Sequence, residues 1–233
     1  GDDNDRIVEH LRAGEQLAAE IGDNRRRSRM VAFQAHIAWS MSDPIRAIAL
    51  AEQALGHAEV ESDLELTVLA SFFLGQACHS HGDYRRGIAV LAANIDRLSP
   101  NMLGERFGMG LPASVVTRVW LALCLAYVGR FSEARVRADE AARITRALGK
   151  QPYSDFHSLT AAGLVASTQG DAASAIPSLE GALELARRGG LNLMVGNALA
   201  WLAHGYLVGG RPSDAVVALE ESLLKQSHLR FGA

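Results

Sequence analysis

One phrase recurs five times along this chain: an alanine-rich apolar run, a small or polar turn, then a second amphipathic run with a small residue near its start. The turns read Ser42-Asp43-Pro44-Ile45-Arg46-Ala47, Gly82-Asp83-Tyr84-Arg85-Arg86-Gly87, Gly129-Arg130-Phe131-Ser132-Glu133-Ala134, Gly170-Asp171-Ala172-Ala173-Ser174-Ala175 and Gly210-Arg211-Pro212-Ser213-Asp214-Ala215. Their first residues, 42, 82, 129, 170 and 210, lie 40, 47, 41 and 40 apart. A period in this range belongs to stacked helical hairpins, each unable to bury its apolar face alone. The spacing therefore predicts an all-α fold, an α-α superhelix of five hairpins, whose product is a recognition surface.

Composition agrees. Hydrophobic residues make up 48% of the chain but aromatics only 6%, so the core is built mainly of Ala, Leu and Val. Closely packed helices want that mixture, whereas strands would draw on more β-branched and aromatic residues. A net charge of −3 exerts no general pull on nucleic acid or an anionic membrane. No apolar run approaches the roughly 18 residues that span a bilayer, and the opening Gly1-Asp2-Asp3-Asn4-Asp5 has neither the basic flank nor the apolar stretch of a secretion signal. The expectation is a cytoplasmic protein that binds neither nucleic acid nor membrane. Cys78 and Cys124 sit in apolar runs of different repeats without metal-ligand spacing, which reads as two buried, reduced thiols.

The pattern predicts helices near 3–21, 25–41, 44–59, 62–81, 84–97, 112–128, 131–149, 153–169, 172–188, 191–208 and 212–226. They group into one solenoid over 1–233, with an orphan second helix in 1–22, hairpins 25–59, 62–97, 112–149, 153–188 and 191–226, and an insertion at 98–111. Asp43, Asp83 and Asp171 are expected to cap second helices, with Ser132 or Ser213 serving where Arg precedes. Gly82, Gly129, Gly170 and Gly210 supply left-handed turns at the ends of first helices. Each second helix carries a small or apolar stripe: Ala47, Ala51, Ala54; Gly87, Leu91, Asn94; Ala134, Ala138, Ala141; Ala175, Leu179, Ala182; and Ala215, Leu219, Ser222. Pro177 removes one backbone bond within its helix and predicts a local kink. The longer segment 98–114, with Phe107 and Met109, reads as an ordered loop over one rim, either completing a binding surface or acting as a spacer.

Catalytic signatures are missing. Leu148-Gly149-Lys150 lacks the other glycine and the hydroxyl residue of a phosphate loop, and no GxSxG, HExxH or calcium-loop pattern occurs. His79 and His81, two apart on a helix, point nearly opposite ways and cannot readily share one metal. Arg25-Arg26-Arg27 with Arg29 reads as a solvated helix entry, since no extended basic stripe accompanies it. These readings predict no enzyme activity, no cofactor and no metal.

The offsets Leu74-Gly75, Gly82-Asp83-Tyr84 and Gly87 before Leu91 resemble the tetratricopeptide repeat. Two features depart from its short form. The period is near forty rather than about 34, and the usual Trp of the first helix is replaced by Phe33, Phe73, Trp120 and Trp201 at one shared position, read as inter-repeat packing in preference to ligand stacking. At longer range the chain resembles the helical-repeat region of bacterial signalling ATPases joined to class III adenylate/guanylate cyclase domains. The segments that carry this are Phe72-Phe73-Leu74-Gly75-Gln76-Ala77, Glu105-Arg106-Phe107-Gly108 with Leu111-Pro112, and Trp120-Leu121-Ala122-Leu123-Cys124-Leu125-Ala126.

What the resemblance implies is a concave groove lined by the first helices. Carried over by offset, its lining is Arg29, Ala32, His36 and Trp39; Phe72, Gln76 and His79; Val119, Leu123 and Tyr127; His157, Thr160 and Leu164; and Asn197, Ala200 and His204. The expected partner is a protein or peptide segment, including other domains of a parent chain, with a small-molecule effector as the alternative. A helix at 3–21 without its hairpin mate reads as a piece of a longer polypeptide. Leu219 and Leu223 on an uncapped last helix invite homodimerisation or a continuation.

Overall fold

The structure, a computed structural model, describes residues 2–149 and 151–231, with side chains over 5–149 and 151–225. Among the described residues eleven α-helices run in order: α1 (Asp2–Glu20), α2 (Asn24–Ser40), α3 (Pro44–Glu61), α4 (Leu64–His81), α5 (Tyr84–Asp96), α6 (Ala113–Tyr127), α7 (Phe131–Ala147), α8 (Pro152–Gln169), α9 (Ala172–Arg188), α10 (Asn192–Val208) and α11 (Pro212–Phe231), with a 3-10 turn at Pro100–Met102. Among the described residues there is no strand. The fold class is all-α, built of helical hairpins at the spacing the sequence predicts.

The chain divides into two compact units, residues 1–113 and 114–233. In the first, α1 to α5 pack each on the next, and α2 also lies beside α4. In the second, successive helices from α7 to α11 pack likewise, and α8 lies beside α10. First helices standing side by side, with second helices between them, are the signature of a repeat stack. Every residue from Leu66 to Cys78 on α4 is buried, which explains why that segment is apolar or small all round rather than amphipathic.

The turns repeat one hydrogen-bond scheme. The amides of Asp43, Asp83, Arg130, Asp171 and Arg211 donate back across the first-helix end to the carbonyls of Ala38, Cys78, Leu125, Ala166 and Tyr206 at 2.8–2.9 Å. This closure needs a left-handed residue just before the donor. Gly82, Gly129, Gly170 and Gly210 provide it at φ 88°, 78°, 85° and 69°, and Ser42 adopts φ 63° in the same role. Asp43, Asp83 and Asp171 then cap the next helix, accepting from the amides of Arg46, Arg86 and Ser174 at 3.1, 3.2 and 3.1 Å. Ser132 does not cap: α7 begins at Phe131, so Arg130 holds the cap position without a side-chain cap bond. Ser213 likewise lies inside the first turn of α11.

The small stripes of the second helices are buried in four hairpins. In α11, Ala215 and Ser222 are buried but Leu219 is 41% exposed, which breaks the stripe and agrees with the apolar surface expected on the last helix. α9 runs through Pro177 as one helix. Cys78 and Cys124 are both buried, and burial pushes the Cys78 thiol up to about 11, away from reactivity.

Candidate functional site

In the first unit, α2 and α4 present a row of cross-helix contacts. At their N-terminal ends Arg29 Nη1 donates to Glu65 Oε1 at 2.5 Å, and Arg25 reaches both Asp63 at 2.6 Å and Glu65 at 2.9 Å. Further along, His36 lies between two rings, 5.4 Å from Trp39 and 4.9 Å from Phe73 by centroid, both nearly parallel. Its Nδ1 stands 3.2 Å from Oε1 of buried Gln76. Burial lowers the His36 pKa despite that hydrogen bond, so the ring is neutral near pH 7. At the C-terminal ends Trp39 Nε1 donates to Ser80 Oγ at 2.7 Å. Phe72 is 4% exposed, and its ring is tilted 52° to that of Phe73 at 5.5 Å between centroids.

The 98–112 segment closes over the start of this row. Met109 and Leu111 are buried, the Ala113 amide donates to the Glu105 carbonyl at 2.9 Å, and Arg106 Nη1 donates to the Gly110 carbonyl at 3.1 Å. Phe107 and Gly108 adopt φ 48° and 84°. Gly108 lies so close to the Arg29 guanidinium that a Cβ there would collide with it, and Phe33 Cζ stands 3.6 Å from the same point. Glu65 and residues 104–108 line an open surface depression of about 530 Å³.

His79 lies on α4, near the C-terminal end of the row. Its ring meets Tyr84 of α5 at 5.5 Å, and burial holds its pKa down to about 4. The shared aromatic position behaves as inter-repeat packing here: Phe33 and Phe73 lie 6.0 Å apart.

In the second unit the groove positions separate by exposure. Leu123 on α6 is buried, whereas Tyr127 at its end is 53% exposed. His157 on α8 contacts Tyr153 and Phe156 edge-on at 4.7 and 5.3 Å, and burial lowers its pKa to about 4. Leu164 packs against the aliphatic core, and Trp201 stands 6.2 Å from fully buried Phe156. Asn197 and His204 on α10 are exposed.

Sequence reasoning missed Glu65, Ser80 and Gly108. Glu65 could have been found: it stands 40 residues after Arg25 and 36 after Arg29, one repeat on, with opposite charge. The arginine run is paired throughout, Arg26 with Asp23 and Arg27 with Glu15 at 3.3 and 3.7 Å, besides Arg25 and Arg29. Among the described residues no group of His, Cys, Asp and Glu is placed to hold a metal, and no helix is long and apolar enough to cross a membrane.

No family model matches the chain, and no curated protein sequence matches it. Solved structures do. BtubC (BKLC) from P. vanneervenii superposes with a TM-score of 0.64 at 17% identity, over 98% of this chain and 90% of that one. The nearly identical TPR-like repeats of a Podosopora anserina kinesin light chain give 0.60 at 16% identity, over 88% and 96%. Aspartyl phosphate phosphatase F from Bacillus subtilis gives 0.74 at 14% identity, over 94% of this chain and 54% of that chain. At these identities the likeness is one of fold, and the fold is that of TPR-like helical repeats.

Proposed function

We propose that this chain is a non-enzymatic TPR-like scaffold that binds a protein or peptide segment along its first helices, as the docking or sensing region of a larger bacterial signalling regulator. The observation that carries the reading is the character of the first-helix positions. They hold aromatic and neutral polar side chains, with exposed Tyr127, Asn197 and His204, and the sequence offers no nucleophile–base pair or phosphate cradle beside them. Helical-repeat surfaces of this chemistry suit a peptide whose side chains alternate apolar and hydrogen-bonding groups. The link to signalling ATPases and cyclases rests on the sequence resemblance, and the TPR-like fold of the solved structures is consistent with it.

A displayed library of random peptides, panned on the full chain, tests this. Selected peptides should bind with Kd of about 1–100 μM. The combined substitution Tyr127→Ala, Asn197→Ala, His204→Ala should weaken them about tenfold or more while leaving the helical circular dichroism unchanged. Unaltered binding by the triple variant would remove the first helices as the site.

A second reading has its own observation, the open depression of about 530 Å³ lined by Glu65 and residues 104–108. Its size falls within the range of small-molecule pockets, and its lining mixes carboxylates, Arg106 and open backbone, which suits a polar effector. A ligand at a hundred times its Kd adds about 2.7 kcal/mol of stability. Thermal-shift screening of polar metabolites with wild type and Glu105→Ala separates the readings: a hit that Glu105→Ala abolishes supports the effector, and an absence of hits leaves the peptide reading alone.

A further inference from the structure

Second helices of neighbouring hairpins flank the first helix between them, and the space over that helix is filled differently in the two units. In the first unit, α3 and α5 flank α4, and the Arg86 guanidinium of α5 pairs with Glu52 of α3. Both charges act on the thiol of Cys78 on α4, which places the ion pair beside that residue. In the second unit, α7 and α9 flank α8, and the equivalent place is a partly enclosed cleft of about 170 Å³. Its floor is Ala162, Val165 and Ala166 of α8, and its walls carry Asp139 of α7 with Ser174 and Ser178 of α9.

Counted from the first residue of each turn, the two places match position by position. Asp139 stands where Glu52 does, ten residues past its turn, and Ser174 stands where Arg86 does, four past its own. Ala162 and Ala166 replace Leu74 and Cys78, and Ser178 replaces Val90. Arg135 and Val165 are larger than their counterparts Ile48 and Ala77, yet the cleft stays open. The carboxylate is kept while the cation that filled the space is lost. The next such place, between α9 and α11, keeps a carboxylate as well, and Glu180 there accepts from the Tyr206 hydroxyl at 3.0 Å. Asp139 has no such donor among the described residues. An exposed carboxylate by itself is merely hydrated. Asp139 differs in facing the space that the cation of its counterpart occupies.

We infer that this cleft is a subsite for a guanidinium group, which Asp139 binds as Glu52 binds Arg86. Its volume lies below the roughly 300–1,000 Å³ of whole small-molecule pockets, so it takes one functional group and its stem. A guanidinium is planar, permanently charged and weakly hydrated, and it carries five donors. The cleft sets acceptors around an apolar floor: the Asp139 carboxylate, the Ser174 hydroxyl, and the Ser178 hydroxyl oxygen, whose own proton goes to the Ser174 carbonyl at 3.0 Å. Asp171 and Arg135 also border it. Two carboxylates against one arginine leave a field that favours a cation. The cleft shares no residue with the first-helix positions or with the 104–108 depression, so it is independent of both.

The test titrates the full, isotope-labelled chain with butylguanidinium and follows the amide resonances of Ala166, Ser174 and Ser178. Saturable shifts gathered at these residues are expected, with Kd on the order of 0.1–10 mM. Butylammonium, equal in charge and stem but lacking the fork, should bind about fivefold more weakly or less. Asp139→Asn should weaken butylguanidinium about tenfold. Ser174→Arg should abolish its binding, because it brings to Asp139 the side chain that Arg86 brings to Glu52. Both changes fall at exposed positions, and unchanged resonances elsewhere confirm the fold. A short acetylated peptide with one arginine among glycines and serines separates the sources. Binding as tight as that of butylguanidinium assigns the cleft to an arginine side chain of a partner, and loss of binding in the peptide assigns it to a free small molecule. No saturation up to about 100 mM, shifts that do not gather at the cleft, an equal response to butylammonium, or undiminished binding to Ser174→Arg overturns the inference.

Discussion

The second and fourth hairpins close on a glycine facing a leucine, whereas the first and third hold alanine at both equivalent positions. Leu91 and Leu179 each fill the room that a side chain at Gly75 or Gly163 would take; a Cβ on Gly163 would lie 2.5 Å from Leu179 Cγ. The other two hairpins place Ala35 with Ala51 and Ala122 with Ala138, all buried. What repeats is therefore a closed volume between two helices, supplied from one side or shared by both. The fifth hairpin mixes the sets, with Ala203 and Leu219. Its alanine is buried, and Leu219 stays 41% exposed.

The largest effects should come from breaking this division. Leu179→Ala opens a cavity at a fully buried site and should cost about 2–5 kcal/mol. Gly163→Ala, which crowds Leu179, should cost about 1–3 kcal/mol. Together they recreate the alanine pair of the first and third hairpins, so the double variant should be milder than the sum by about 1 kcal/mol or more. Urea unfolding of the four proteins measures the cycle. Strict additivity would show that the two positions do not share one volume.

Buried histidines sharpen the contrast between hairpins. His79 in the second and His157 in the fourth are held down to about 4 by burial, while the corresponding residues of the third hairpin do not titrate. A histidine whose folded pKa lies below its unfolded value of about 6.5 leaves stability untouched at pH 7. As pH falls from about 6.5 toward 4, the unfolded chain takes up the proton and the folded chain does not, so stability is lost over that window and the loss then levels. For His157 the loss at pH 4.5 should be about 2–3 kcal/mol. Carboxylates add their own acid dependence, so the readout is a difference: the fall in urea midpoint between pH 7 and 4.5 should be smaller in His157→Gln than in wild type. An identical fall in both would show that His157 is charged in the fold.

Much of the fold was legible because its determinants are local. Turn glycines, capping aspartates and the four-and-three spacing of small residues act within a few positions, and the helices run within a few residues of the expected ranges. Ser132 misled because serine is a strong cap, yet the turn geometry places Arg130 at the cap and Ser132 inside the helix. Leu219 shares the offset of buried Leu91 and Leu179, yet it and Leu223 are exposed as expected of the last helix, because exposure depends on what faces a residue rather than on offset. The groove was less legible for the same reason. Phe72 and Gln76 hold the expected offsets, but their burial is set by α2, by neighbouring rings and by side chains some 40 residues away. The seating of Gly108 on Arg29 has no local signal at all.

The smallest effect separates the hairpin starts. Asp171 caps α9 through the Ser174 amide at 3.1 Å, and hydrogen bonding from the Ser174 side chain first, and its amide second, lowers the Asp171 pKa. At the equivalent position Arg130 makes no cap and instead pairs with Glu133 at 2.6 Å on an exposed surface. Asp171→Ala should therefore lower the urea midpoint through the lost cap, whereas Arg130→Ala loses only an exposed ion pair and should lower it less. Arg130→Asp should go the other way and stabilise, because it supplies α7 with the acceptor its first turn lacks and places an anion at the positive end of the helix dipole. Urea midpoints in low and high salt distinguish the two mechanisms: the Arg130→Ala loss should shrink as salt screens the pair, and the Asp171→Ala loss should persist. Equal costs with equal salt dependence would mean that the capped and uncapped turns differ in sequence but not in what holds them.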